Sequence, residues 1–214
     1  MILKNAKFTI IASLLFISTL GYSQLEISPT AGYFFGGKVN FYEGSLKIND
    51  NADFGINLAF EIDEGSFFEF SYVGSKSSAY WRPYGYTPNY PNQDFYINSN
   101  YFLLGGVHQV PMGSQNVFGF GTFKLGAGYF NSLENSIADV WRFSVGMGLG
   151  VKIFITERVG IRLSGNMYMP LYFNGVGAYV GIGGGGVSTG LSLNSTAMIL
   201  QGDFQGGLIF VLGK

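Results

Sequence analysis

The sequence predicts an all-β fold: a transmembrane, antiparallel up-and-down β-barrel of eight strands, with ten as the alternative count. Three observations predict it. Beyond residue 24, hydrophobicity repeats with a period of two rather than 3.6. Charged residues make up 12% of the 214 and aromatic residues 17%, against roughly 25% charged in an average soluble domain. The connections between alternating segments are long and short in strict turn.

The first segment is set apart from this pattern. Lys4 and Lys7 precede the apolar run 8–20, which is followed by Gly21 and Ser23 with the small side chains of a cleavage site before Gln24. The apolar run is shorter than the ~20 residues a membrane helix requires, and the order charge, apolar run, small residues is that of a secretory signal peptide. Residues 1–23 are therefore expected to be a signal peptide and 24–214 the barrel domain.

The alternating segments follow in order. In 24–36, Leu25, Ile27, Ala31, Tyr33 and Phe35 alternate with Glu26, Ser28, Thr30, Gly32 and Phe34. In 52–63, Phe54, Ile56, Leu58, Phe60 and Ile62 alternate with Asp53, Gly55, Asn57, Ala59 and Glu61. In 67–75, Phe68, Phe70 and Tyr72 stand opposite Glu69 and Ser71. The stretch 95–110 is strand-like with an ambiguous register. In 117–130, Phe123, Leu125, Ala127 and Tyr129 oppose Thr122, Lys124, Gly126 and Gly128. In 141–155, Trp141, Phe143, Val145, Met147, Leu149, Val151 and Ile153 oppose Arg142, Ser144, Gly146, Gly148, Gly150 and Lys152. The segments 159–173 and 200–212 repeat the pattern, with Ile161, Leu163 and Met167 against Arg162, Ser164, Asn166 and Tyr168, and Phe204, Leu208, Phe210 and Leu212 against Gln201, Asp203 and Gln205.

Gly146, Gly148, Gly150 and Lys152 look at first like a phosphate-binding loop. Such a loop places its glycines at a strand-to-helix turn, where backbone N–H groups converge on an anion. Here the glycines fall on alternate residues of a strand that runs on through Ile155, so the nucleotide reading is set aside. The near-neutral net charge of −1 gives no reason to expect nucleic acid. With no cysteine, disulfides and thiolate metal sites are excluded, and no cofactor is expected.

Alternation alone does not say which face meets water. The polar faces are rich in Gly, Ser and Ala and carry few charges, which makes a poor solvent surface but a good narrow interior. About eight strands enclose just enough room for side chains. Large aliphatic and aromatic residues then face outward, where hydrocarbon replaces water, and closure leaves no backbone polar group unsatisfied in lipid. The long connections 37–51, 75–94, 131–139 and 174–199 alternate with the short ones 63–65, 111–116 and 157–158. Long extracellular loops and short periplasmic turns, with both termini periplasmic, give this order.

On the alternating strands, the loop order and the last strand "QGGLIFVLGK", the sequence resembles the small eight-stranded outer-membrane β-barrels of Gram-negative bacteria, the OmpA/OmpX-like group, over essentially all of 24–214. The resemblance implies an outer-membrane location, contact with outer-membrane lipid, and recognition by the barrel-assembly machinery through Phe204, Leu208, Phe210 and Leu212. It departs at the tail, where Gly213 and Lys214 follow Leu212 and family members often end on an aromatic residue. A non-enzymatic structural or interaction role is expected, with a narrow channel for ions or small solutes, or an accessory barrel of an envelope secretion or assembly complex, as alternatives.

The candidate luminal charges are Glu26, Asp53, Glu61, Glu69, Lys124, Arg142, Lys152, Arg162 and Asp203. By depth, Glu26, Glu61, Glu69, Lys152 and Arg162 belong to the periplasmic half, Lys124 to the middle, and Asp53, Arg142 and Asp203 to the extracellular half. Two layers of ion pairs are expected, because a charge buried alone costs several kcal/mol, with Lys152 facing Glu61 or Glu69.

In the loop 79–96, Tyr80, Trp81, Tyr84, Tyr86 and Tyr90 form a candidate recognition surface for an extracellular protein or glycan, since Tyr and Trp combine an apolar body with a polar tip. The glycine-rich stretch 175–196 is expected to be a loop or a strand extension beyond the bilayer. An extra membrane hairpin there, turning at 183–186, would make ten strands. His108, the one histidine, lies near no recognisable catalytic pattern, and no metal-ligand cluster appears.

Overall fold

A computed structural model describes residues 24–40, 44–85, 92–132, 139–183 and 186–213, with the backbone alone described over 172–198. The expected signal peptide and the loop residues Tyr86 and Tyr90 lie outside the described residues. Eleven strands follow in chain order: β1 Leu25–Phe35, β2 Lys38–Asn40, β3 Gly44–Ile48, β4 Asn51–Asp63, β5 Ser66–Pro83, β6 Gln93–Pro111, β7 Val117–Ser132, β8 Val140–Phe154, β9 Val159–Gly183, β10 Gly186–Met198 and β11 Gln201–Leu212.

Eight of them close a ring. β1 pairs with β4, β4 with β5, and so on through β6, β7, β8 and β9 to β11, which returns antiparallel to β1 with Leu25 opposite Leu212. Closure leaves no open edge within the ring, which is what a strand needs where no water is available. The short connections are tight turns; Gly65, with φ of 71°, makes one of them possible. They all lie at one end of the barrel, here the turn end.

At the opposite, loop end the strands outgrow the ring. β5 and β6 stay paired as far as Trp81 and Gln93, so most of the stretch expected as a loop over 75–94 is strand. Within 37–51, expected as a loop, β2 and β3 form a hairpin whose second strand pairs with the upper part of β5. β10 pairs with β9 alone. The 175–196 segment is thus an extension of β9 and its hairpin partner, not two further members of the ring, and the count of eight holds.

The alternation sets the two faces. Phe54, Phe123, Trp141, Leu149, Leu163 and Phe204 are exposed on the outside, while Glu26, Ser28, Asp53, Glu69, Ser71, Lys152 and Arg162 are buried inside. β6 departs from the rule that the inner face is small and polar. Phe95, Ile97, Tyr101, Leu103 and Val107 point inward and are buried, while Tyr96, Phe102 and Leu104 are exposed outside. With apolar residues on both faces, its period could not reveal its register.

The glycines of β8 explain how a narrow barrel holds those large inward residues. A Cβ on Gly146 would lie 2.8 Å from Leu103 Cδ1, and one on Gly150 would lie 2.5 Å from the Phe120 ring. The missing side chains are the space that Leu103 and Phe120 fill.

Candidate functional site: the packed lumen and the loop-end rim

The lumen is filled in layers. Nearest the turn end, Ala59, Phe67, Val107 and Phe120 form an apolar floor. On it stands a buried ionic cluster. Lys152 Nζ donates to Glu26 Oε2 at 2.5 Å, and its ammonium lies 4.4 Å from the centre of the Phe67 ring. Arg162 grips Glu69 with two donors, Nη1 to Oε2 at 2.6 Å and Nη2 to Oε1 at 3.0 Å. Lys124 Nζ also donates to Glu69 Oε1 at 2.5 Å and to Ser71 Oγ at 2.6 Å. The Arg162 guanidinium lies 4.5 Å from the Phe120 ring centre. The two aromatic faces thus cover the two deepest cations, where ring quadrupoles attract positive charge.

The structure therefore pairs Lys152 with Glu26, where sequence depth pointed to Glu61 or Glu69. Depth along a strand says nothing about position around the ring. Glu61 stays half-buried near the turn end, its backbone N–H donating to the Gln24 carbonyl at 3.0 Å.

Among the described residues, the expected outer layer of ion pairs gives way to a network of neutral donors on two carboxylates. Asn166 Nδ2 and Tyr168 Oη both donate to Asp203, each at 2.6 Å, and Gln205 Nε2 donates to Asp53 Oδ2 at 2.8 Å. Among the described residues neither Asp53 nor Asp203 forms an ion pair. Register gives the reason. Asp203 lies in line with Asn166 and Gly148 across β11, β9 and β8. Arg142 is six residues further along β8, about 20 Å at ~3.3 Å per residue. There its Nη1 donates to the Trp141 carbonyl at 3.1 Å.

Above this network, Phe34, Val73, Tyr101, Leu103 and Tyr168 pack together, the Tyr101 and Tyr168 rings stacked at 4.7 Å and the Tyr101 hydroxyl donating to Gln201 Oε1. Sequence reasoning assigned large rings to the outside and so missed this aromatic plug. The signal was present, since Phe34 and Tyr168 occupy polar-face positions in their own strands. The cavity among Asn57, Lys124, Arg162 and Tyr168 is about 10 Å³, room for one water at most.

The rim is two-sided. Trp81 turns inward, packing with Leu46 against Ile48, Ala79, Phe95 and Ile97. It is half-buried there, on the opposite side of the sheet from Tyr80. Tyr80 stays on the outer side, with the Arg82 guanidinium 4.9 Å and Lys47 Nζ 5.7 Å from its ring centre. Tyr84 is exposed and donates to Asn40 Oδ1 at 3.1 Å. His108 lies on the outer face near the turn end, its Nδ1 3.1 Å from Ser66 Oγ. Among the described residues no carboxylate is bonded to it.

No protein-family model matches the chain, and no curated protein matches its sequence. Solved structures do resemble it. The chain aligns with the outer membrane protein OprG from Pseudomonas aeruginosa at a TM-score of 0.58 and 8% identity, covering 91% of this chain and 98% of that one. It aligns with Neisserial surface protein A, NspA, at a TM-score of 0.50 and 14% identity, covering 87% and 96%. Together with the closed ring of eight strands, these likenesses give the chain the fold of the small outer-membrane β-barrels.

Proposed function

From that fold, we propose that the chain is an integral outer-membrane protein with a sealed interior, serving a structural or interaction role through its loop-end rim rather than conducting solutes. In this reading the turn end and both termini are periplasmic, the leader 1–23 directs export, and the barrel-assembly machinery inserts the chain. The rim would meet an extracellular protein or glycan.

The observation that carries the proposal is the layered filling of the lumen. An apolar floor, a three-cation ionic cluster, an amide and carboxylate network and an aromatic plug follow one another, around a cavity of about 10 Å³. A hydrated ion needs far more room. The proposed role is also non-catalytic: among the described residues no carboxylate is bonded to His108 to orient its imidazole as a base.

Reconstitution into a planar bilayer tests the sealed reading. Folded protein is expected to leave the bilayer non-conducting, and steady single-channel currents would replace the proposal with the narrow-channel alternative. Changed lipid composition in cells carrying the chain, lost on His108→Ala, would replace the non-catalytic role with a lipid-modifying one.

A further inference from the structure

Cations are scarce in this chain, and they are unevenly placed. Twelve lysines and arginines occur, two of them in the leader. Lys124, Lys152 and Arg162 are consumed in the lumen. Four of the others, Lys38, Lys47, Lys76 and Arg82, lie together on the outer side of the loop-end sheet.

The register builds this patch. Lys38 on β2 lies opposite Lys47 on β3, which lies opposite Tyr80 on β5. Lys76 and Arg82 share the outward side of β5 with Tyr80, and Lys76 Nζ sits 5.6 Å from the centre of the Tyr96 ring on β6. The inner side of the same sheet is the apolar cluster of Ile48, Ala79, Phe95 and Ile97. Among the described residues, one acid is bonded within the patch: Asp94, which accepts from Arg82 at 2.8 Å. The arrangement is costly, since like charges directly opposite on neighbouring strands repel. Lysines often guard exposed sheet edges, which would account for Lys38 on the edge strand β2. It does not account for Lys47, whose strand is paired on both sides at that level, with β2 and with β5.

The height of the patch identifies what it meets. On the barrel exterior, Tyr72, Phe102, Trp141 and Tyr129 form a continuous aromatic band, with successive ring centres 5.1, 6.2 and 4.5 Å apart. Such bands mark the boundary between hydrocarbon and headgroups. Lys76 is four residues beyond Tyr72 on the same face of β5, about 10 Å higher at ~3.3 Å per residue and a ~40° tilt. The other three cations lie at or above that level.

Resting on the outer-membrane reading above, we propose that Lys38, Lys47, Lys76 and Arg82 form a docking site for the phosphate groups of an anionic glycolipid headgroup in the outer leaflet. The ammonium groups supply point charges, the Arg82 guanidinium a planar fork matched to phosphate oxygens, and Tyr80 and Tyr96 hold three of the cations from one side. A bound phosphate would also relieve the Lys38–Lys47 repulsion.

The test is a titration of the folded protein in neutral detergent with lipid A, its dephosphorylated form, and pyrophosphate, read by native mass spectrometry. The same titrations are run on K38Q/K47Q/K76Q. We expect lipid A to bind the unaltered protein at least ten-fold more tightly than the dephosphorylated lipid or pyrophosphate, and the triple variant to lose that preference. Equal binding by the variant would overturn the proposal, as would equal binding of the dephosphorylated lipid. Pyrophosphate binding as tight as lipid A would also overturn it, assigning the patch to a soluble anion. Gel mobility with and without heating, run on both proteins, keeps two failures apart. A folded, membrane-inserting barrel without the preference refutes the docking site alone, whereas a chain that never shows the heat shift refutes the membrane reading beneath it.

Discussion

Glu69 holds the ionic cluster together, and removing it is the most informative single perturbation. Its carboxylate is fully buried and accepts from Arg162 twice and from Lys124 once. Glu69→Ala leaves two cations inside the lumen without their shared counter-ion, over an aromatic floor that cannot accept a hydrogen bond in its place. Breaking one buried pair by deleting a partner costs about 3–5 kcal/mol. With a barrel of this size losing roughly 2–4 °C per kcal/mol, the shift is on the order of 10 °C. The assay is the temperature at which the detergent-solubilised protein loses its compact SDS-gel mobility. A cycle adds specificity. In the background Lys124→Met and Arg162→Met, Glu69→Met is expected to recover most of the loss, because a buried ionic group replaced whole by apolar residues of similar volume is often neutral or better. A Glu69→Ala protein that melts within a degree or two of the unaltered one would refute the reasoning, since the cluster would then carry no net pairing energy.

Other perturbations separate the layers. Lys152→Met should destabilise through Glu26, so Glu26→Gln is expected to recover part of the loss in the same melting assay, and Glu61→Gln is not. Asp203→Asn removes one of two neighbouring carboxylates held by neutral donors, so its melting temperature is expected to equal or exceed that of the unaltered protein, opposite in sign to Glu69→Ala. Gly146→Val forces a branched side chain against Leu103 and should cost about 1–3 kcal/mol as overpacking; adding Leu103→Ala should recover part of it in a urea titration, the two effects falling short of their sum. On the exterior, Leu125→Arg should cost roughly 2–4 kcal/mol near the bilayer midplane in a lipid-vesicle unfolding titration.

The fold was legible because one face of nearly every strand is large and apolar and the other small and polar. Residues such as Phe123, Lys124 and Leu125 announce their sides one after another. β6 resisted because Tyr101, Leu103 and Val107 fill the lumen while Phe102 and Leu104 meet the outside, so both faces read as apolar. The rim hairpin was hidden for a related reason. Strand pairs as short as Lys38–Asn40 with Gly44–Ile48 offer too few residues for a period to emerge. The luminal charges could be ordered by depth, since position along a strand is a count of residues. Their partners could not, because the side of the lumen a residue faces depends on how β1 stands across from β8, which no local pattern encodes. Glu26 rather than Glu61 meeting Lys152, and Asp203 turning to Asn166 and Tyr168, are both consequences of that geometry.

The central claim is the assignment of faces, apolar out toward lipid and charged in. The chain has no cysteine, so single cysteines carrying a fluorophore can be placed at Leu125, Leu149, Leu163 and Phe204 on the outer face and at Ser71 and Ser144 on the inner face, in protein reconstituted with lipids bearing a quencher on their acyl chains. The account predicts strong quenching at the four outer positions and little at the two inner ones. Quenching at Ser71 and Ser144 with none at the outer positions would contradict it, and would turn the molecule into a soluble barrel with its faces reversed.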